Sequence, residues 1–365
     1  MNVTVVGAGV IGCAIAHELA SRGVSVRVVD PRGTGLGATH ASAGILAPHI
    51  EGHLAPLLEM CVRSYGLYDS FIERLRQETD QPIEYERVGT LQVASDAAEV
   101  ERLREQAAHL SSIGVPHSLL SRHELNSPSP QRMADSLVGG LLIPEQGYVV
   151  VSALVTGLAL AATKRGAQFS HERVLRVNAN GNRPQLTTMD GTIDCDAVVI
   201  AAGAWSSEVL AVAAWPPYVK PIRGQLLYLR GNHRAAAHVV WGSGCYVVPW
   251  QNGTALVGAT VEDVGFYETA TAGGIQSLLT AATSLLPSLA DATFEGVRVG
   301  LRPMTGDELP IIGPSSTHPH VFYATGHYRN GILLAPLTAE IAADYLLEER
   351  EAPELAFTKP SRFGL

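Results

Sequence analysis

The first thirty residues alternate short apolar runs with one helix-like segment. Val3 to Val6 forms an apolar run, Cys13 to Arg22 has the composition of a helix that Gly23 ends, and Val24 to Asp30 forms a second run. Strands buried on both faces read as continuous apolar runs, and two parallel strands need a crossover helix between them. The pattern therefore predicts a βαβ unit at the start of the chain.

Five further segments have the spacing or composition of helices. They are Leu54 to Glu78, which is long enough for one helix or two, Ala97 to Ile113, Val149 to Gly166, Gly274 to Leu286 and Ile332 to Glu349. In the first of them, apolar residues recur near the 3.6-residue period that covers one face of a helix. We expect helices in all five segments.

Strand-like runs occupy much of the remaining chain. Three short pieces precede Ala197 to Trp205, which is apolar throughout and predicts an interior parallel strand. The run Val321 to Thr325 predicts a strand before the last helix. From 216 to about 300 the pattern is antiparallel, with Asn252-Gly253 as a hairpin turn. The strand-like runs outside the first thirty residues also include Gly89 to Ala94, Gly224 to Leu229, Gly244 to Pro249 and Ala255 to Ala259.

Composition excludes several classes of protein. With 365 residues, 46% hydrophobic and 17% charged, the chain can bury a large core, and its length suggests about two domains. A net charge of −9 disfavours a nucleic-acid partner. The longest nearly apolar stretch, Val149 to Thr163, is too short to span a membrane. Four dispersed cysteines exclude a disulfide scaffold, and the N-terminus lacks the basic region of a signal peptide, so we expect a cytoplasmic protein.

The turn after the first predicted strand carries the pattern Gly7-x-Gly9-x-x-Gly12. In a dinucleotide-binding βαβ unit the first glycine makes a tight turn, the second admits a pyrophosphate and the third lets helix and strand pack closely. Asp30 ends the second strand, where a carboxylate hydrogen-bonds a ribose hydroxyl and repels a 2′-phosphate. The unit therefore predicts an adenine dinucleotide and disfavours NADP.

The rest of the chain distinguishes FAD from NAD. In a simple NAD enzyme the βαβ units continue directly, whereas here the strand ending at Gly203 follows more than 150 intervening residues. A third small-residue site, Ala324-Thr325-Gly326, precedes the last helix. Three separated glycine sites suit a long cofactor in two parts, and this favours FAD.

Three further motifs complete a specific resemblance. They are Gly37 to Pro48, then Gly300-Leu301-Arg302-Pro303 with Thr305, Asp307, Pro310 and Gly313, then Gly326 to Pro336. Together with Gly7 to Gly12 and Asp30, this series resembles the glycine oxidase family within the D-amino-acid oxidase superfamily of flavoproteins. Ile45 and Thr39 stand where that family often has Met and Ser.

The resemblance implies an α/β fold with a Rossmann-like FAD-binding domain and a discontinuous, mainly antiparallel β substrate domain. We assign residues 1–80, 149–215 and 301–365 to the first domain and 81–148 and 216–300 to the second. It also implies a set of residues around FAD, namely Gly7, Gly9, Val10, Ile11, Gly12, Asp30, Pro31, Thr39, Ala41, Ser42, Ala43, Gly44, Ile45, Leu46, Val174, Ala202, Gly203, Trp205, Arg302, His327, Arg329, Asn330, Gly331, Ile332 and Leu333.

For the substrate, the resemblance implies that Arg302 binds a carboxylate, that Tyr246 donates a hydrogen bond to it, and that Arg329 belongs to the same site. A planar guanidinium suits a carboxylate in a dry pocket. The flanking strand, Pro303 and Gly306 place Arg302 on a loop, and a solvated surface arginine is the alternative. Arg329 has two interpretations, a second anion contact near the flavin and a capping role.

The helix after Gly331 is expected to aim free N–H groups at the flavin and to stabilise its reduced form. His327 lies either close to the flavin or in a structural role. His49, Glu51 and His53 resemble metal ligands, but their order is not that of a known site, so we prefer polar residues at the entrance to a helix.

The implied reaction is oxidation of glycine or another small amine-bearing acid, such as a D-amino acid or sarcosine, by hydride transfer to flavin N5, with O2 reduced to H2O2. No protein base is required if the amine binds neutral. The segment just before the Gly326 loop contains no cysteine that could tether the flavin, so the FAD is expected to be non-covalent. The resemblance also implies a link to thiamine biosynthesis. The sequence leaves the oligomeric state open, a homo-oligomer included.

Three other interpretations remain at this point. One is a dehydrogenase of the same superfamily that passes electrons to a quinone or dye. A second is a tRNA-modifying amine oxidase, which the net charge of −9 disfavours. The third is a non-catalytic dinucleotide-binding subunit, which would have no use for Arg302 and Tyr246 beside a flavin.

Overall fold

The computed structural model describes residues 1–51, 55–126, 132–179, 183–209, 218–318 and 320–365. Four parts of the sequence predictions lie outside the described residues. They are His53, residue Leu54 at the start of the predicted helix Leu54 to Glu78, the prolines at 128 and 130, and the predicted domain boundary near 215.

The strands are mostly short. In chain order they are β1 Asn2–Val6, β2 Ser25–Val29, β3 Ile45–Leu46, β4 Tyr85–Glu86, β5 Thr90–Ala94, β6 Ser118–Ser121, β7 Gly139–Ile143, β8 Gly147–Val149, β9 Gln168–Ser170, β10 Val174–Asn178, β11 Gln185–Thr188, β12 Thr192–Asp194, β13 Ala197–Ile200, β14 Lys220–Arg230, β15 Val239–Gly242, β16 Cys245–Pro249, β17 Thr254–Gly258, β18 Thr293–Met304, β19 Ile311–Pro314 and β20 Val321–Thr325.

The helices include the one predicted in the βαβ unit and all five predicted after it. In chain order they are α1 Val10–Ser21, α2 Ala55–Gly66, α3 Tyr68–Thr79, α4 Ala97–Ser112, α5 Val151–Lys164, α6 Ser206–Val209, α7 Ala272–Leu285, α8 Gly331–Glu348 and α9 Leu355–Thr358. Short 3₁₀ turns occur at Ala38–Ala41, Glu124–Asn126, Gly203–Trp205, Pro287–Asp291 and Pro360–Phe363. The segment that could hold one helix or two holds α2 and α3.

A six-stranded sheet has the order β19-β20-β13-β1-β2-β9. Every pair in it is parallel except β19 with β20. The predicted βαβ unit is confirmed, and β13 is an interior parallel strand buried at every residue, as its apolar run predicts. Helix α1 packs against α5 and α8, and its residues from Val10 to Ala20 are buried.

An eight-stranded sheet has the order β18-β14-β17-β16-β15-β5-β7-β6. It is antiparallel apart from the pair β15 with β5. β16 and β17 form the predicted hairpin, with Gly253 at a φ of +87° in its turn. The α/β fold with a mainly antiparallel second sheet is therefore confirmed.

Several element predictions are wrong in detail. Val149 ends β8, so the helix that follows begins only at Val151. The strand at Ala197 stops at Ile200, because the chain turns into a 3₁₀ helix from Gly203 to Trp205. Four strands, β9 to β12, stand where three were expected.

The predicted position of Arg302 on a loop is also wrong, and this correction matters for function. Arg302 lies inside β18, opposite Ile222 of β14, and not on a loop. The first three residues of β18, Thr293, Phe294 and Glu295, are exposed, so its pairing with β14 left no apolar run in the sequence. β18 also runs past the predicted domain boundary at residue 301. The division into two domains stays a prediction.

Among the described residues, no helix combines the length and apolar character needed to cross a membrane.

Candidate functional site

A cavity of about 540 Å³ runs from the glycine turn after β1 to the eight-stranded sheet. That volume lies within the range of small-molecule sites. Every residue predicted for the site lines the cavity except Gly12 and Leu46. Leu46 is fully buried in the core beneath it, and its contact with the cofactor stays a prediction.

The three glycines of the first turn have the backbone geometry that their predicted roles require. Gly7 has a φ of +112°, and a Cβ there would meet the carbonyl oxygen of Ala201 at 2.3 Å. A Cβ on Gly12 would meet the carbonyl oxygen of Gly7 at 1.9 Å, so Gly12 sets the close packing of α1 on the turn. Gly9 has only the Thr39 hydroxyl near its Cβ position, which leaves its backbone open to the cavity.

Asp30 lies at the carboxyl end of β2 and lines the cavity. One carboxylate oxygen accepts a hydrogen bond from the N–H of Ala8 at 2.9 Å, and the other accepts one from the N–H of Arg32 at 2.7 Å. The carboxylate is therefore held at the end of the strand. Each oxygen keeps a lone pair that a ribose hydroxyl can use.

The segment after β2 closes over α1. The Thr39 hydroxyl accepts a hydrogen bond from the N–H of Val10 at 3.0 Å, so one of the first N–H groups of α1 is already satisfied. Gly44 has a φ of +74°, and a Cβ there would meet the carbonyl oxygen of Val149 at 1.9 Å. This motif therefore packs on α1 and β8 and forms one wall of the cavity.

At the far end of the cavity, Trp205 faces Arg32, whose guanidinium carbon lies 4.0 Å from the ring centroid. Arg32 also pairs with Glu268 at 2.8 Å, and Phe266 lies against the same indole. Val174, at the start of β10, lines this end as predicted. The arrangement makes an apolar slot with a polar rim.

The guanidinium of Arg302 lies over Gly224, where a Cβ would be within 2.5 Å of it. It donates hydrogen bonds to the carbonyl oxygens of Thr260 at 3.0 Å and Arg223 at 3.4 Å. Desolvation lowers the pKa of this guanidinium, yet arginine stays charged at neutral pH. Among the described residues, no carboxylate lies within ion-pair distance of it, so its charge faces the cavity unpaired.

Tyr246 comes from β16, beside Arg302 in the cavity wall. Its hydroxyl group lies at the Cβ position of Gly258, and its ring contacts Trp241 with centroids 5.1 Å apart. Burial raises the pKa of this phenol, although Arg302 and Arg329 oppose the shift. The hydroxyl therefore keeps its proton and can donate it in a hydrogen bond.

Arg329 forms an ion pair with Glu51, with 3.0 Å between nitrogen and oxygen. Both residues line the cavity. The partner of Arg329 in the structure is this protein carboxylate, and its two predicted roles, an anion contact near the flavin and a helix cap, stay predictions. Residues 51 and 329 are far apart in sequence, so no local pattern signals this pair.

The N-terminus of α8 opens into the cavity. The first three residues of the helix, Gly331, Ile332 and Leu333, line it, and their N–H groups have no partner within the helix. No acidic side chain lies in the first turn of α8. These N–H groups and the positive end of the helix dipole are therefore available to a negatively charged group.

Pro336 lies inside α8 and lacks the N–H that would bond the carbonyl of Ile332. The Tyr68 hydroxyl donates to that carbonyl instead. The Ser64 hydroxyl donates to the carbonyl of Leu333 at 2.7 Å and accepts from the N–H of Leu337 at 3.4 Å. Side chains from α2 and α3 thus hold the first turns of α8 in place.

His327 is buried, and burial lowers the pKa of its imidazole to about 3. Its Nε2 shares a hydrogen bond with the Thr338 hydroxyl at 3.1 Å. The side chain is therefore neutral and engaged with α8, which favours the structural interpretation of this residue.

Tyr328 is a cavity residue that the sequence reasoning did not assign. It adopts a φ of +48°, and its N–H donates to the carbonyl of Pro303 at 2.9 Å. This hydrogen bond ties the loop before α8 to β18. Its place in the motif Gly326 to Pro336 was the available signal.

The described residues contain no cluster of three or more potential metal ligands. Glu51 pairs with Arg329, and burial lowers the pKa of His49. The third residue of the metal hypothesis, His53, lies outside the described part of the chain.

Comparison with known proteins adds independent findings. A family model described as "DAO: FAD dependent oxidoreductase" matches residues 2–345. The chain is 34% identical to a glycine oxidase of Geobacillus kaustophilus over 97% of this chain and 95% of that protein. It is 36% identical to a "Bifunctional protein ThiO/ThiG" of Nostoc sp., spanning 99% of this chain and 55% of that longer protein.

Solved structures agree with the sequence relatives. The crystal structure of glycine oxidase from Geobacillus kaustophilus matches with a TM-score of 0.93 at 34% identity, over 98% of this chain and 97% of that one. An iminodiacetate oxidase from Chelativorans sp. matches with a TM-score of 0.89 at 27% identity, over 98% of both chains. The chain therefore belongs to the family of FAD-dependent oxidoreductases that includes the glycine oxidases, and it is an FAD-dependent amine-oxidising enzyme.

Proposed function

We propose that this enzyme oxidises glycine or another small amine-bearing monocarboxylic acid, such as sarcosine or a small D-amino acid. It releases the imine for hydrolysis and uses O2 as the electron acceptor. The observation that carries the proposal is the Arg302 guanidinium. It faces the cavity, and its hydrogen-bond acceptors among the described residues are two backbone carbonyls, so a substrate carboxylate would be its counter-ion.

Arg302 and Tyr246 fix the orientation of such a substrate. The guanidinium binds the carboxylate through charge-assisted hydrogen bonds, and the protonated Tyr246 hydroxyl adds a further donor. With its carboxylate held, a small amino acid directs Cα and its amine into the cavity. Positioning of this kind is the main contribution that a cofactor enzyme asks of its protein.

The cavity fits FAD on the observations above. Gly7 and Gly9 leave room for a pyrophosphate, Asp30 offers carboxylate oxygens to a ribose, and the N-terminus of α8 offers unpaired N–H groups. When bound, FAD would accept the Cα hydrogen as a hydride at N5 and would then pass the electrons to O2, which becomes H2O2. The free N–H groups of α8 would stabilise negative charge that develops beside them.

Two features support a mechanism without a protein base and with non-covalent FAD. Of the titratable groups at the Arg302 end of the cavity, Glu51 is paired with Arg329 and His327 is neutral and bonded to Thr338. The amine is therefore expected to bind without its extra proton. Cys245 lines the cavity, but burial raises the pKa of its thiol to about 12, which makes it a poor nucleophile.

The test is an anaerobic titration of the purified holoenzyme with glycine, sarcosine, D-alanine and D-proline. At least one of them should bleach the oxidised-flavin absorbance, and admission of air should restore it with formation of H2O2. Bleaching that a dye reverses and air does not would identify a dehydrogenase. A yellow protein that none of these amines bleaches would contradict the proposal.

The relatives named ThiO/ThiG are consistent with the link to thiamine biosynthesis, which we retain as part of this proposal.

A further inference from the structure

The end of the cavity that holds Tyr246 has a small and definite set of charges. Among the described residues that line the cavity there, the charged ones are Arg302, Arg329 and Glu51. All three lie near enough to act electrostatically on the Tyr246 phenol, and Arg329 and Glu51 form an ion pair there. Two cations and one anion leave this end with a net charge of +1.

The two arginines differ in what they can offer a ligand. Within the described part of the chain, Arg302 has only carbonyl partners, whereas Arg329 is engaged by Glu51 at 3.0 Å. The Glu51 side chain is 17% exposed and that of Arg329 is 38% exposed, so the pair lies at the edge of the cavity and is only partly in contact with solvent. One carboxylate can be neutralised here, and a second would meet the charge of Glu51.

We propose that Glu51 is a specificity-determining residue: by pairing with Arg329 it restricts the substrates to amine-bearing acids with one carboxylate and excludes those with two. The inference rests on the proposed function, because it concerns the substrates of the same site. It adds a rejecting element to the attracting one, since specificity is a difference between two affinities.

The physical reason is charge complementarity. A monocarboxylate with a neutral amine carries −1 and matches the net charge of +1 at this end of the cavity. A dicarboxylate carries a second negative charge, which approaches Glu51 while Arg329 is already occupied, and like charges brought together cost several kcal/mol. Replacing Glu51 with an uncharged isostere raises the local charge to +2 and frees Arg329 as a second anchor.

The experiment compares two matched pairs of ligands on the holoenzyme. Sarcosine and iminodiacetate are both N-substituted glycines, and they differ in a methyl group against a carboxymethyl group. Butyrate and glutarate carry no amine, so they report binding without turnover through changes in the flavin absorbance. Wild-type enzyme should favour sarcosine and butyrate. In Glu51→Gln the preference should move towards iminodiacetate and glutarate by at least about tenfold, the factor that one charge-assisted hydrogen bond supplies.

Two further variants isolate the cause. The double variant Glu51→Gln with Arg329→Gln should lose the gain, because the freed guanidinium is removed. Glu295→Gln makes the same charge change in an ion pair with Arg230 that is no part of the cavity, and the ligand preference should stay as in wild type.

The inference would be overturned if Glu51→Gln kept the wild-type ratio of glutarate affinity to butyrate affinity. It would also be overturned if the wild-type enzyme bound glutarate and butyrate with equal affinity. Failure of every amine to bleach the flavin would instead overturn the proposed function. The binding of butyrate and glutarate keeps these two failures apart.

Discussion

The Arg302 guanidinium donates a hydrogen bond to the carbonyl oxygen of Thr260 at 3.0 Å. Thr260 follows β17, and its hydroxyl accepts a hydrogen bond from the N–H of Gln225 in β14 at 2.9 Å. Two strands of the eight-stranded sheet therefore fix the direction of the guanidinium before any substrate arrives.

The first prediction concerns Arg302→Ala. Loss of the guanidinium should raise KM and lower kcat/KM, because the substrate carboxylate loses its counter-ion. The fall in kcat/KM should correspond to about 2 to 5 kcal/mol of lost transition-state stabilisation. Steady-state kinetics with the best amine from the anaerobic titration checks this. Arg230→Ala removes an exposed ion pair outside the cavity and serves as the control. Unchanged kinetics in Arg302→Ala would eliminate the carboxylate role.

The second prediction concerns Asp30. Asp30→Ala should weaken FAD binding by about 1 to 3 kcal/mol, because the ribose loses an acceptor and the N–H groups of Ala8 and Arg32 lose theirs. The fold should be retained, since Asp30 lies beyond the end of β2 and lines the cavity. Recovery of FAD fluorescence on dilution measures the affinity, and Asp30→Asn, which keeps one carbonyl oxygen, should fall in between. Equal cofactor retention in Asp30→Ala would count against the ribose assignment.

The third prediction concerns Gly12→Ala. A methyl group 1.9 Å from the Gly7 carbonyl oxygen has no room, so α1 must move away from the glycine turn. We expect a loss of about 3 kcal/mol or more in the free energy of unfolding, together with weaker FAD binding. Chemical denaturation with and without added FAD measures both effects.

Gly273→Ala is the matched control for that substitution. Gly273 lies in α7 with nothing within 4 Å of its Cβ position, so the same change should stabilise the protein by up to about 1 kcal/mol. Equal effects of the two substitutions would contradict the packing role of Gly12.

The fourth prediction concerns the support of α8. Tyr68→Phe leaves the Ile332 carbonyl without a donor, because Pro336 cannot supply one. A buried acceptor left unpaired should cost about 1 to 3 kcal/mol in the free energy of unfolding. Tyr85→Phe removes an exposed hydrogen bond to Asp69 and should cost about 0.5 kcal/mol or less, so similar losses in both variants would contradict the prediction.

The fifth prediction concerns pH. The pKa of His327 is about 3 in the folded protein, far below the ordinary value near 6.5, because the imidazole is buried. Below that ordinary value the unfolded chain takes up a proton that the folded protein refuses, so stability is lost as the pH falls. Between about pH 6 and pH 4 this residue should cost roughly 1 kcal/mol per pH unit.

Denaturation of the wild type and of His327→Gln across this range isolates the effect. Glutamine keeps a polar atom for Thr338 and does not titrate. The stability difference between the two proteins should therefore narrow or reverse towards low pH. A difference that is constant with pH would show that His327 has an ordinary pKa.

The sequence predicted the features of the fold that depend on near neighbours. The glycine turn, α1 and the apolar strands β1, β2 and β13 are local patterns, and the predicted cavity wall followed from motifs that lie on or beside these elements. The family motifs reached Arg302, but the exposed and half-buried residues that open β18 left no pattern in the sequence to show that Arg302 lies in a strand.

What the sequence could not supply depends on contacts between distant segments. The parallel pair of β5 with β15 joins residues about 150 positions apart, and the Arg329–Glu51 ion pair joins two different loops. The sequence shows the two histidines beside Glu51, which suggest a metal ligand, but it does not show Arg329, which is its partner in the fold. A side chain's chemistry is set by its partner in space, so these assignments required coordinates.

The hydrogen bond from Tyr328 N–H to the carbonyl of Pro303 joins the strand that carries Arg302 to the loop that opens α8. Because the link is main chain to main chain, it survives exchange of almost any side chain around it. Trp241, Val261 and Glu51 also line the cavity, and their side chains can be exchanged while the spacing between Arg302 and the start of α8 stays fixed. Related enzymes could in this way differ in the acids they oxidise, while the position of the carboxylate anchor relative to the N-terminus of α8 stays the same.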